Sequence, residues 1–209
     1  MVVKNEAGEA AGALELEPQV VFYAQYHTNK INVAIHLVCI VPIFASAMGL
    51  ITAASRYTSL AALNVPYLAS PVDLTPGMII AICYATYFFL LDPIAGGLYA
   101  PILLSLGHLG NRFLLERPDA VQKLGLINAG GWVLQFIGHG VFEGRAPALF
   151  DSLLQALVLA VFFVWLEALF ALGYKPDLHK RIQNRVGKAV LEYRRQRKAR
   201  GHVPAQKPL

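Results

Sequence analysis

Charge is scarce in this chain: Asp, Glu, Lys and Arg make up 15% of its 209 residues, against roughly 25% in soluble domains. Apolar residues fill the gap, at 56%, and they gather in long runs. That excludes an ordinary water-soluble globule. The length suits one compact domain. Cysteine is nearly absent. Cys39 and Cys83 both lie in apolar runs, so they read as packing residues and supply neither a CxxC site nor a disulfide framework. The N-terminus, MVVKNEAGEAAGALELEPQ, holds four Glu and no apolar core. It is expected to be neither a signal peptide nor an Arg-rich presequence, which leaves membrane insertion to the first spanning helix. Missing too are the G-x-S-x-G elbow, the P-loop, GxGxxG, HExxH and the closely spaced histidine boxes of a di-iron desaturase.

What charge there is sits unevenly. From Lys175 onward there are 11 Lys/Arg against 2 Asp/Glu, and the remainder has 7 against 11. A basic segment directly after an apolar run reads as a cytoplasmic flank that favours anionic lipid, not as a nucleic-acid site. A membrane span needs about 20 apolar residues. Val33–Ala54 and Leu153–Gly173 supply them, and Leu126–Phe142 is a shorter candidate. Met78–Leu106 is divided by Asp92-Pro93, which predicts two short helices or a re-entrant hairpin. Linkers are expected at Arg56–Gly77, Asn111–Lys123 and Glu143–Asp151. Leu178, Ile182, Val186, Val190 and Tyr193 recur near every fourth position, predicting an amphipathic helix lying on the membrane surface. The fold class is therefore all-α: a polytopic membrane bundle of four to five helices, some short, with a basic amphipathic C-terminal helix. Residues 1–22 form a flexible acidic N-terminus, 23–174 the membrane catalytic domain and 175–209 a basic cytoplasmic tail.

Ionisable groups inside a bilayer are costly and face the bundle interior. Two clusters stand out. In YHTNKINVAIH, Asn32 and His36 share a helical face. His27 lies nine residues before His36, about 180° away on an unbroken helix, so the two converge only if the chain bends. Thr28, Asn29 and Asn32 are candidate capping residues for that bend. In GWVLQFIGHGVFEGRAPAL, Gln135, His139 and Glu143 recur at spacings of four. Gly138 and Gly140 flank the histidine and permit close approach of another backbone. A histidine and a carboxylate one turn apart suit a shared metal, or a carboxylate that orients the imidazole. Imidazole suits Zn, Cu or Fe alike. Outside the clusters, His108 reads as interfacial, Asp92 as a helix-end residue, and His179 and His202 as solvated. Glu167 is equally compatible with an interhelical hydrogen bond and a site role.

At YHTNKINVAIH and QFIGHGVFEGRAPAL, and again at FVWLEALFALGY, the sequence resembles the fungal endoplasmic-reticulum 2-hydroxy fatty acid dioxygenase family of phytosphingosine breakdown. The likeness spans roughly Tyr23 to Tyr174, and its middle third matches in hydropathy alone, so His108 inherits no role. The resemblance implies an oxidoreductase of lipid metabolism in a multi-pass endoplasmic-reticulum membrane. Its cofactor would be Fe(2+), and its substrates molecular oxygen and a long-chain 2-hydroxy fatty acid shortened by one carbon (α-oxidation). It puts His27, His36 and His139 forward as iron ligands. Glu143 becomes a fourth ligand or a group behind the ligands, with Asn32 and Gln135 in support. Two other readings stay open: a non-catalytic scaffold or lipid-binding protein whose polar stripe only joins helices, and a haem protein using two histidines. If Leu153–Gly173 crosses the membrane once after the site, the tail lies on the opposite face, and a cytoplasmic tail places the site toward the lumen.

Overall fold

A computed structural model describes residues 12–55 and 74–201, with side chains as far as residue 199. Residues 1–11 of the acidic N-terminus, residues 56–73 of the expected proline-rich linker, and His202 lie outside the described residues. The described chain is all helix and turn. Its elements are α1 (Leu16–Ala24), α2 (Lys30–Ser55), α3 (Pro76–Leu91), α4 (Pro93–Glu116) and α5 (Ala120–Ile137), then a π-helix (Gly138–Glu143), a 3-10 turn (Ala148–Phe150), α6 (Leu153–Ala171) and α7 (Pro176–Gly201).

The break at Asp92-Pro93 is built as the residues dictate. The Asp92 carboxylate accepts hydrogen bonds from the Ile94 and Ala95 amides, and Pro93 occupies the first helical position, where it needs no donor. The chain reverses there. A Cβ on Gly107 would touch Met78 and Ala81, while Gly96 abuts Phe88, so α3 and α4 form an antiparallel hairpin. α5 returns antiparallel along α2, with Gly49 against Leu124, Gly131 against Ile43 and Gly138 against Asn32. α6 packs across both pairs. Phe162 stacks on Phe88 at 4.4 Å, Trp165 stacks on Tyr99 at 4.8 Å, and the Trp165 indole donates to the Ala95 carbonyl.

Several sequence expectations change here. The linker expected at Asn111–Lys123 is mostly helix. Arg112 and Glu116 pair one turn apart, Leu114 is buried, and α4 ends only where Pro118 forces the preceding residue out of the helical region. α1 begins at Leu16, so the last part of the segment expected to be flexible is ordered. α7 does not lie alone on a surface. Leu178 and Ile182 are buried in the main core, and Arg181 and Arg185 both pair with Glu17 of α1. The helix starts where Lys175 pairs with Asp92 and runs back until Arg197 reaches the Gly144 carbonyl. The tail therefore returns toward the second polar cluster instead of leaving it.

Two helices, α2 and α6, are long and apolar enough to cross a membrane. α3 is apolar but only 16 residues long, short of the roughly 20 a span needs. α4 carries Arg112 and Glu116, and α5 carries Lys123. Large apolar side chains nonetheless stand exposed on several helices, among them Val38, Phe89, Leu98, Val133 and Leu154. Large exposed apolar faces mark surfaces that contact protein or membrane.

Candidate metal centre

Three elements bring three histidines together. α1 ends at Ala24, the chain turns through Tyr26–Asn29, and the Asn29 side chain caps α2 by accepting from the Ile31 amide at 2.9 Å. This bend is what the nine-residue spacing requires. It sets the His27 Nε2 atom 3.0 Å from His36 Nε2. His139, from the π-helix, closes the group, its ring 4.8 Å from that of His27 and 5.0 Å from that of His36. All three are buried, and one nitrogen from each lies within 4.8 Å of the others.

The tautomers follow from the partners. His27 Nδ1 lies 2.8 Å from the Tyr23 carbonyl, and His36 Nδ1 lies 2.9 Å from the Asn32 carbonyl. A carbonyl only accepts, so both Nδ1 atoms carry the hydrogen and both Nε2 atoms present bare lone pairs. Two lone pairs facing at 3.0 Å repel unless a cation lies between them. Burial, and next the neighbouring imidazoles of His36 and His139, hold His27 well below the usual histidine range, which disfavours a shared proton. His139 adds a buried Nδ1 with no hydrogen-bond partner among the described residues. A donor set of neutral, preoriented imidazoles fits a transition-metal ion. His27 and His36 rings only 4.2 Å apart leave no room for a macrocycle between them, which disposes of a haem held by that pair.

Glu143 has a different task. Its carboxylate accepts from the Thr28 amide at 3.0 Å, the Asn29 amide at 2.9 Å and Asn32 Nδ2 at 3.2 Å, and from the Thr28 hydroxyl. Burial alone would raise its pKa, but these donors hold it below the usual carboxylate range. Glu143 is not among the groups whose ligand atoms converge with one another. The cause is local: His139 lies in a π-helix that closes on left-handed Gly144, so the α-helical register linking 139 to 143 does not hold. Glu143 clamps the turn that carries His27. Asn32 donates to that clamp, and its Oδ1 lies against Gly138. Of the two glycines expected to allow close approach, Gly138 does so toward this side chain; a Cβ on Gly140 would meet nothing within 4 Å among the described residues. Gln135 is buried, and neither amide atom has a hydrogen-bond partner among the described residues.

Other residues find other places. His108 is on the half of α4 where Gly110 faces Ala45 and Gly49, about three turns along α2 from His36. His179 is not simply solvated, since it stacks on Phe170 at 4.5 Å. Asp92 is the helix-end residue expected, and it also accepts from Tyr174. Glu167 joins neither the histidines nor any hydrogen bond among the described residues. Sequence reasoning missed the groups behind His27. Tyr23 stacks on its ring at 4.1 Å. Arg145 is sandwiched between the rings of Tyr26 at 3.7 Å and Tyr193 at 4.1 Å, and Tyr26 donates to Asp151. An arginine two residues after Glu143 was the available signal.

His36, Gln135 and His139 open on a cavity of about 450 Å³. Beyond them its wall is mostly apolar, with Ile40, Phe44 and Ile51 from α2, Trp132 from α5 and Val161 from α6, and Asn128 is the polar exception, its amide already donating to the Ile43 carbonyl and the Ser46 hydroxyl.

Comparison with known proteins adds the following. The family described as "Mpo1-like: 2-hydroxy-palmitic acid dioxygenase Mpo1-like" matches residues 14–172. The 2-hydroxy-palmitic acid dioxygenase MPO1 of Saccharomyces cerevisiae is 36% identical over 175 residues, covering 83% of this chain and 90% of the yeast protein. No solved structure matches.

Proposed function

Since the chain belongs to the Mpo1-like family, we propose that it is an iron-dependent dioxygenase that shortens long-chain 2-hydroxy fatty acids by one carbon, as in sphingolipid breakdown. The observation that carries this reading is the pair of bare imidazole lone pairs at 3.0 Å, buried beside a third histidine at the polar end of an apolar cavity.

His27, His36 and His139 would hold the metal. Bound iron(II) would supply a Lewis acid and the one-electron chemistry that oxygen activation needs. Every other part of the site is the protein's own. Neutral imidazoles leave a dication uncompensated, which favours an anionic substrate head beside them. Glu143 fixes the His27 turn, and the Tyr23 and Asn32 carbonyls fix two tautomers. The apolar cavity accepts an acyl chain and excludes water. The scaffold reading fares less well: helix-joining groups should be mutually bonded, as Glu143 is, whereas Gln135 and His139 Nδ1 are not.

The setting we propose is an intracellular membrane, that of the endoplasmic reticulum, crossed several times by α2, the α3–α4 hairpin and α5, with α6, the other helix long and apolar enough to span, packed across them. Exposed apolar side chains on these helices support it. Because α7 returns to Gly144, tail and site share one face. A cytoplasmic basic tail then puts the site on the cytoplasmic side.

The test is metal analysis and an absorption spectrum of the purified protein, with oxygen-dependent consumption of a 2-hydroxy fatty acid. Non-haem iron with turnover is the expected result. A Soret band, or a metal-free protein without turnover, would overturn it.

A further inference from the structure

Gln135 is 4% exposed, and neither its Nε2 nor its Oε1 atom has a hydrogen-bond partner among the described residues. Leaving a buried polar group unpaired costs about 1–3 kcal/mol, so such an amide is kept for something that fills its hydrogen bonds. Gln135 lies one turn before His139 on the wall of the 450 Å³ cavity, and His36 faces the same space. From this polar end the cavity follows a single face of α2. His36, Ile40, Phe44, Ala47 and Ile51 all line it, at spacings of four, four, three and four, a run of about 22 Å at 1.5 Å per residue. The space is a slot for an amphiphile with a small polar head and a long apolar chain.

We infer that Gln135 reads the 2-hydroxyl of the substrate, with the acyl chain lying along α2 toward Ile51. This rests on the function proposed above. A carboxylate only accepts hydrogen bonds; a hydroxyl also donates. Gln135 offers one of each. Its Nε2 suits a carboxylate oxygen, and its Oε1 needs a donor, which an ionised fatty acid lacks and its 2-hydroxy form supplies. A plain fatty acid would leave Oε1 buried and unpaired, and sites of this kind reject the analogue that lacks the bonding group.

The experiment measures displacement of a labelled 2-hydroxy C16 acid by the unlabelled acid and by its non-hydroxylated counterpart. It uses the metal-loaded protein and its Gln135→Leu and Gln135→Met variants, with metal per folded protein recorded alongside. The unaltered protein should prefer the hydroxylated acid. Either variant should weaken that acid's binding roughly ten- to hundredfold while leaving the plain acid's unchanged or tighter, with metal retained. Two variants of similar volume guard against one failing to fold. An unchanged preference in a folded variant, or equal loss for both acids, overturns the inference. Binding needs no turnover, so the two readings separate. A protein that discriminates through Gln135 but never consumes oxygen would keep this inference and lose the dioxygenase. A working dioxygenase indifferent to Gln135 would do the reverse.

Discussion

His139→Ala removes one of the three buried nitrogens that could hold a metal ion and leaves the backbone clamp at Glu143 in place. It should abolish turnover and lower iron content while the protein still inserts. His108→Ala, about three turns away along α2, should keep iron and most activity. Iron per folded protein and oxygen-dependent substrate loss, read side by side, decide the matter. A folded His139→Ala protein with normal iron would sink the assignment. Glu143→Gln should do less harm than His139→Ala. The amide keeps an acceptor for Thr28 and Asn29 but loses the charge, and groups that orient ligands typically cost about 10–100-fold. Complete loss of iron in both variants would make Glu143 a direct ligand. All six candidate residues are legible in the sequence because polar side chains in apolar runs stand out. The role of Glu143 could not, since it depends on which donors the folded chain places around it.

Glycine shows how two helices come close enough to build the centre. A Cβ on Gly138 would meet Asn32 Oδ1, pushing the π-helix off α2 and His139 away from His36. Gly138→Ala should therefore lose metal. Gly140→Ala meets nothing within 4 Å and gains the roughly 0.8–1 kcal/mol by which alanine favours a helix, so its iron and melting temperature should hold or rise. Equal behaviour of the pair would remove the packing argument. α7 carries the opposite lesson. Its basic composition reads as dispensable for chemistry, but truncation beyond Asp177 strips Leu178 and Ile182 from the core, both partners from Glu17, and Tyr193 from Arg145. α1, which leads into His27, loses its brace. The truncated protein should melt lower and lose iron. Full iron and full turnover after truncation would show that α7 serves the membrane alone.

Across the whole molecule the question is which face holds the site. Arg197 reaches the Gly144 carbonyl at 3.4 Å, so the far end of α7 and the loop after Glu143 lie together. Single cysteines at Gly144 and Arg195, in a background lacking Cys39 and Cys83, should react with a membrane-impermeant thiol reagent from the same side of sealed vesicles. Labelling from opposite sides would restore a site facing away from the tail. Sequence hydropathy reads a luminal site if Leu153–Gly173 crosses once, because it counts crossings and carries no information on a contact such as Arg197 to Gly144.

The sequence by itself determined the all-helical class, the reversal at Asp92-Pro93, the bend between His27 and His36, and the set of candidate polar residues. These follow from local rules: run length, proline geometry, helical periodicity and the cost of a buried polar group. Tertiary structure alone decided that Glu143 turns to Thr28 and Asn29, that Arg145 lies between Tyr26 and Tyr193, and that α7 returns to the site. Each of these joins residues more than 45 positions apart, and periodicity cannot reach across that distance. Only packing brings such groups together.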